Sequence, residues 1–250
     1  MGTGVAIVTG SGKRRVGARV AERLARAGYD IAVHYRSSGA EAVEVAEYLK
    51  SFGVRAEPFR ADLSDEPSVK RMVAEVLTSF GQIDVLVNCA AVWQRKKLEE
   101  VNADDVRKQF EANTLATFLT CQNVGMWMIA QRAGGCIVNI GDWADVRPYL
   151  DYAAYFPSKA AIPGLTRTFA VELGSRNPNV RVNCILPGPV MLPLDLSEEE
   201  RNEAISATIV KREGSPDHIA HAVMFFVEND FVTGVSLPVD GGRTVYAKGV

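Results

Sequence analysis

A single α/β domain built on a doubly wound parallel sheet of about seven strands is the fold that the sequence predicts for residues 1–250. Three observations lead there. Short Val/Ile-rich runs alternate with amphipathic helical stretches from end to end. Those runs are mostly apolar throughout rather than alternating, the pattern of strands covered on both faces. No repeat, low-complexity tract or linker interrupts them, and 250 residues at 47% hydrophobic can bury one sizeable core.

Val5–Thr9 is the first strand and runs directly into Gly10-Ser11-Gly12. The helix after it, Val16–Ala27, carries arginines at a helical period that mark a solvated face. Asp30–His34 and Val54–Ala61 are the next strands, followed by the helices Ala40–Phe52 and Glu66–Phe80 respectively. Ile83–Val87 leads into one long helical pattern, Ala103–Gln131. Cys136–Ile140 and Val180–Ile185 are strands, with the helix Tyr152–Ser175 between them. Ser197–Thr208 and Pro216–Val227 are the last helices, and Val235–Pro238 is the last strand. Glu198-Glu199-Glu200 is expected to be an exposed first turn, where acids suit the helix dipole. His34, His218 and His221 show no ligand or triad spacing and read as structural.

The stretch Thr9-Gly10-Ser11-Gly12-Lys13-Arg14-Arg15-Val16-Gly17 joins the first strand to its helix. Glycines there allow a tight turn and let backbone N–H groups approach a pyrophosphate at the helix N-terminus, as in Rossmann-type sites. A P-loop is excluded, because no Ser or Thr follows Lys13 and the glycine spacing is wrong. Asp30 lies about twenty residues on, but it opens its strand, whereas ligands gather at strand carboxyl ends. That end reads His34-Tyr35-Arg36-Ser37-Ser38. A guanidinium and hydroxyls suit a 2′-phosphate, and Arg14 and Arg15 would converge with Arg36 on it. These residues favour NADP over NAD.

Tyr155 and Lys159 stand four residues apart, on one face of a predicted helix. An ammonium beside a phenol favours phenolate and draws its pKa down from about 10. A Tyr tuned in this way can exchange a proton with a substrate. Asp142 lies thirteen residues before Tyr155.

With these residues assembled, the chain resembles the short-chain dehydrogenase/reductase family over essentially its whole length. The landmarks are the Thr9-Gly10 turn, Asp62-Leu63, Asn88-Cys89-Ala90-Ala91, Asn113, Tyr155 with Lys159, Pro187-Gly188 and Asp240-Gly241-Gly242. Within that family it is similar to the pteridine reductases and dihydromonapterin reductases. Those carry an arginine in the first turn, a His-Tyr pair like His34-Tyr35, and an aspartate thirteen residues before the Tyr, where the family usually has serine. Their end also looks like Phe231-Val232-Thr233-Gly234 and Pro238-x-Asp240-Gly241-Gly242-Arg243. The first turn here is one residue longer than theirs, which leaves Arg14 and Arg15 as alternatives for the arginine's role.

The resemblance implies a mechanism and a set of site residues. NADPH would be held by Gly10, Arg14, Arg15, Val16, Tyr35, Arg36, Ser37, Asp62, Leu63, Asn88, Ala90, Pro187 and Gly188, together with Tyr155 and Lys159. Lys159 would bind the nicotinamide ribose and lower the Tyr155 pKa, and Asn113 would hold a helix kink and an ordered water. Trp93 would sandwich a pterin against the nicotinamide, and Asp142 would bond the heterocycle and, if buried, donate a proton with Tyr155. The implied reaction is reduction of a dihydropterin to a tetrahydropterin. The alternatives are a keto reductase acting on a 3-oxoacyl or other carbonyl substrate, and a non-catalytic NADP-binding sensor. Leu186–Thr208 would form the family's mobile lid, and family members are often homotetramers.

Composition narrows the partners. Lys plus Arg number 28 against 30 Asp plus Glu, which gives nucleic-acid binding no support. Cys89, Cys121, Cys136 and Cys184 stand apart without metal spacing and read as buried thiols in a reducing compartment. No leader or membrane-length apolar run is seen, so a cytoplasmic protein with a small-molecule substrate and no metal is expected.

Overall fold

The computed structural model describes residues 4–192 and 196–246. The strands are β1 (Gly4–Thr9), β2 (Tyr29–Tyr35), β3 (Ala56–Arg60), β4 (Val85–Asn88), β5 (Gly135–Ile140), β6 (Val180–Pro187) and β7 (Ser236–Val239). All pair in parallel, in the order β3-β2-β1-β4-β5-β6-β7. The helices are α1 (Val16–Arg26), α2 (Gly39–Lys50), α3 (Glu66–Phe80), α4 (Ala103–Gln109), α5 (Ala116–Ala130), α6 (Tyr155–Gly174), α7 (Glu198–Ser206) and α8 (Pro216–Glu228).

Helices on both faces explain the continuously apolar strands. Ala6 and Val8 of β1 join Val20 and Leu24 of α1, Leu49 of α2 and Phe226 of α8 in one buried cluster. Their chain neighbours Val5 and Ile7 join Met72 of α3 and Val124 and Met128 of α5 in another. Alternate side chains leave opposite faces of a strand, and here both faces are dry. The sheet reverses its winding between β1 and β4, so their carboxyl ends open a crevice where α/β folds hold ligands.

The predicted helix Ala103–Gln131 is broken. A π-helical turn at Phe110–Leu115 separates α4 from α5. Tertiary bonds hold it: Asn113 Oδ1 accepts from the Val92 N–H (2.8 Å), while its Nδ2 donates to the Val92 carbonyl (3.0 Å) and Ser158 Oγ (2.9 Å). Such turns cluster at functional sites. The predicted helix Tyr152–Ser175 begins three residues later, with Tyr155 its first residue, after a turn in which Asp151 takes φ 71. β6 runs on to Pro187 because Pro187 pairs with Val239 of β7.

The expected lid, Leu186–Thr208, divides into the end of β6, a connection and α7, and its residues 193–195 lie outside the described residues. Ser197 and Glu200 form a capping box at the acidic start of α7, as the acid cluster suggested. Among the described residues, no helix is long and apolar enough to cross a membrane, and no three His, Cys, Asp or Glu side chains are grouped to hold a metal.

Candidate active site

A cleft of about 840 Å³ crosses the carboxyl ends of the strands, from the first turn to Tyr155 and Lys159. At its nucleotide end, Gly10 sits at φ +66, and a Cβ on it would meet the Ala90 Cα at 2.9 Å. Only glycine fits a turn this tight against its neighbour. Thr9 Oγ1 accepts from the Cys89 and Ala90 N–H groups, each at 3.0 Å, which clips the loop after β4 to the end of β1. The Gly10 N–H donates to His34 Nδ1 (3.0 Å), and His34 Nε2 lies 3.1 Å from the Ala61 carbonyl. Burial pushes His34 down to about 4, so a neutral imidazole accepts at Nδ1 and donates at Nε2. His34 is therefore a structural clasp across the ends of β1, β2 and β3.

Arg15, Val16, Tyr35, Arg36, Ser37, Asp62, Leu63, Ala90, Pro187 and Gly188 all line the cleft. Arg14 does not, so of the two arginines the geometry favours Arg15 as the one facing the nucleotide. Asp62 Oδ1 accepts from Ser64 Oγ (2.6 Å) and the Ser64 N–H (3.0 Å), and these bonds hold its carboxyl below the usual range. A Cβ on Gly188 would lie 2.5 Å from the Asp240 Cα, so the turn after β6 can close only on glycine. Asn88 lies behind the cleft wall, donating to Asn139 Oδ1 (2.9 Å) and accepting from Thr120 Oγ1 (2.8 Å). Its part is to fix the end of β4 rather than to line the cleft. The glycine turn, Arg15 beside it, Arg36 at the end of β2 and an open cleft between them fit a dinucleotide.

At the reacting end, Tyr155 Oη donates to Asp142 Oδ2 at 2.8 Å, and Asp142 Oδ1 accepts from the Ala144 N–H at 2.9 Å. The helical spacing of Tyr155 and Lys159 brings the Lys159 ammonium to the same wall, where it donates to the Ile140 carbonyl at 2.6 Å. The expected lowering of the Tyr155 pKa is overturned in this geometry. Burial and the Asp142 carboxylate raise it well above its ordinary value, and the phenol holds its proton. Burial also raises Asp142 above the ordinary carboxylate range and lowers Lys159. Joined by this bond, the Tyr155 phenol and the Asp142 carboxyl are placed to hold and exchange a proton.

Asn113 does not itself line the cleft, but it bonds the backbone of Val92, which does. It sits 1% exposed in its π turn, tying the loop after β4 to Ser158 at the start of α6. Ser158 Oγ in turn donates to the Tyr155 carbonyl at 2.6 Å, so Asn113 is linked through Ser158 to the backbone of Tyr155. Trp93 lines the cleft, but one face of its indole is stacked on Tyr152, with centroids 4.9 Å apart and an interplanar angle of 12°. Sequence reasoning missed this partner and the aromatic wall that continues through Tyr149 and Trp143, since ring contacts between loops leave no spacing pattern. Cys121, Cys136 and Cys184 are buried as expected; Cys89 is half-buried and lines the cleft, and burial pushes its thiol up to about 12.

Comparison with known proteins adds four findings. A family model described as "Enoyl-(Acyl carrier protein) reductase" matches residues 10–244. The 3-oxoacyl-[acyl-carrier-protein] reductase FabG of Staphylococcus epidermidis is 32% identical over 241 residues, 95% of this chain and 97% of its own. Among solved structures, a dehydrogenase/reductase from Sinorhizobium meliloti is 31% identical with a TM-score of 0.90, covering 98% of this chain and 96% of its own. A blue fluorescent protein from a metagenomic library, in complex with NADPH, is 33% identical with a TM-score of 0.88, covering 98% and 99%.

Proposed function

The chain belongs to the short-chain dehydrogenase/reductase family of oxidoreductases, and from that premise we propose that it uses NADPH to reduce a C=N bond in a pterin-like heterocycle, dihydropterin to tetrahydropterin. The observation that carries this reading is the Asp142 carboxylate bonded to Tyr155 at 2.8 Å inside a buried wall. A carboxylate there repels a ketone oxygen gaining charge, but it accepts from ring or amino N–H groups. Burial raises its pKa, and in its protonated form it can join Tyr155 in donating to a ring nitrogen.

NADPH, when bound, supplies the hydride. Arg36 and Arg15 would hold its 2′-phosphate side, the Gly10 turn its pyrophosphate, and Lys159 its ribose near Tyr155. Tyr155 Oη hands its proton to the substrate, with Asp142 orienting the phenol. Asn113 keeps the start of α6, and so Tyr155, in place. Trp93 and Tyr152 present a flat wall suited to a planar ring. Intact Tyr155, Lys159 and Asn113 weigh against a sensor that binds the nucleotide and does no chemistry. The exposed Phe118, Met126 and Trp127 of α5 support assembly into the homotetramer that the family resemblance implies.

A second reading is carbonyl reduction, on a 3-oxoacyl or other ketone substrate. The likeness to a 3-oxoacyl reductase across nearly the whole chain favours it, and more directly than anything in the comparisons favours a pterin. NADPH oxidation measured against dihydropterins, dihydrofolate, quinones and β-keto thioesters separates the two. Preferred turnover of a dihydropterin supports the first reading. Turnover of ketones alone discards it for the second.

Cofactor choice gives a separate expectation. With Arg36 at the end of β2, NADPH is expected to exceed NADH by at least about tenfold in kcat/KM, about 1.4 kcal/mol. Arg36→Asp is expected to narrow or reverse that ratio in steady-state assays with both cofactors. Equal use of NADH by the unaltered protein contradicts the assignment.

A further inference from the structure

A connected set of aromatic rings lines the cleft beside Tyr155, and a cation stands against one of them. Ring centroids lie 6.2 Å apart for Tyr155 and Tyr152, 5.2 Å for Tyr152 and Tyr149, and 6.1 Å for Tyr149 and Trp143. The Arg243 guanidinium carbon then lies 4.5 Å from the centroid of Trp143, and Arg243 lines the same cleft.

Arg243 is held firmly but left short of acceptors. Its Nη1 donates to the Ala204 carbonyl at 2.6 Å, and its backbone carbonyl accepts from Arg147 at 2.8 Å. Among the described residues that is the guanidinium's one hydrogen bond, out of five N–H groups, and no carboxylate lies within ion-pair distance. Glu203, Asp240, Tyr149 and Arg147 are the charged or titratable groups that face it from the packed elements, and Arg147 is a second cation. Half-buried beside an indole, the group loses hydration that the more distant Glu203 and Asp240 charges offset only in part, and burial lowers its pKa accordingly. Cations withdrawn from water in folded proteins are generally paired.

We propose that Arg243 is the far end of the substrate site and receives an anionic oxygen group, a carboxylate or a phosphate, on the tail of an elongated substrate. The planar or carbonyl head lies at Asp142 and Tyr155, the chain of the substrate runs along Tyr152, Tyr149 and Trp143, and the acid meets the unbonded N–H groups of Arg243. A guanidinium fork suits either anion bidentately. The inference rests on Asp142 and Tyr155 being the reacting end, and it narrows the substrate to acid-bearing molecules under either reading of the head group.

Two probe pairs test it, each differing only in the acid: dihydrofolate against its dimethyl ester, and acetoacetyl-4′-phosphopantetheine against acetoacetyl-pantetheine. NADPH oxidation is measured with the unaltered protein, Arg243→Gln and Arg243→Lys. The acid-bearing member of at least one pair is expected to be preferred at least about tenfold in kcat/KM. That ratio is expected to fall to within about twofold in Arg243→Gln and to be largely kept in Arg243→Lys, which restores the charge. Preference within the dihydrofolate pair identifies a carboxylate. Preference within the pantetheine pair alone identifies a phosphate and discards the ring-nitrogen reading of Asp142 while keeping the subsite. Turnover without acid preference, or a ratio that Arg243→Gln leaves unchanged, overturns the subsite and leaves the reacting end untouched. If neither pair turns over, calorimetric titration of the NADPH-loaded protein with the two acid-bearing probes decides. Binding weakened at least fivefold by Arg243→Gln supports the subsite, and a smaller effect or no binding overturns it.

Discussion

Tyr155→Phe is expected to lower turnover on the best substrate by about 10²–10⁴-fold, the range for removing a positioned proton donor, while NADPH binding is kept. The substitution deletes one oxygen and leaves the ring. That ring is 5% exposed and packs edge-on against Phe156 and Tyr152, so the fold around it has no reason to move. What disappears is the acid itself and the bond to Asp142 Oδ2. An Asp142 left without that donor in a buried wall becomes still harder to ionise, because a desolvated carboxylate without partners disfavours charge. Single-turnover rates with NADPH, together with a direct NADPH titration, separate chemistry from binding. Near-full turnover by the variant would show that Tyr155 is not the proton donor.

Asp142→Ser is the second expected result, and it decides between the two substrate readings. A hydroxyl carries no charge for an N–H-rich heterocycle and no carboxyl proton to give. Dihydropterin turnover is therefore expected to fall by about 10²-fold or more. Ketone reduction is expected to hold or improve, because serine there can donate to a carbonyl oxygen as it does in most of the family. The variant also has a signature in stability. Burial raises Asp142 above its ordinary value, so the folded chain holds this proton more tightly than the unfolded one. The site's contribution is therefore present at low pH and is lost as pH rises through the raised pKa. The difference in melting temperature between the unaltered protein and Asp142→Ser is expected to shift across that window and to level off above it. Undiminished dihydropterin reduction by Asp142→Ser would remove the ring-nitrogen reading.

The sheet was legible because both of its faces are covered: Val5, Ala6, Ile7 and Val8 are all buried, and a continuous apolar run has no other economical home. Strand ends were less legible. β6 reaches Pro187 through pairing with Val239, a partner more than fifty residues on that the local pattern does not announce. The break at Phe110–Leu115 left no mark in the local pattern, because the π turn is held by bonds to Val92 and Ser158; only the family resemblance implied a kink at Asn113. At the site, spacing identified Tyr155, Lys159 and Asp142, but not how charge is shared among them. The expectation of a phenolate supposed that the ammonium would dominate. In the fold, burial weighs on the phenol, Lys159 turns to the Ile140 carbonyl and the carboxylate takes the phenol, so the sign reverses. The choice between Arg14 and Arg15 likewise waited on which side chain faces the cleft.

The π turn also constrains how this chain can change in length. A π turn is one residue longer than the α-helical turn it replaces, so from α4 onward the helix accommodates, in effect, a retained single-residue insertion. Deleting one residue there would let the hydrogen-bond ladder close regularly from α4 into α5. It would also rotate Asn113 by about 100° relative to one of the two segments, out of reach of either Val92 or Ser158. Codon-length deletions between Phe110 and Leu115 are therefore expected to yield protein that still accumulates and binds NADPH but turns over slowly. In this segment the number of residues matters alongside the Asn113 side chain, because the count sets which way that side chain points.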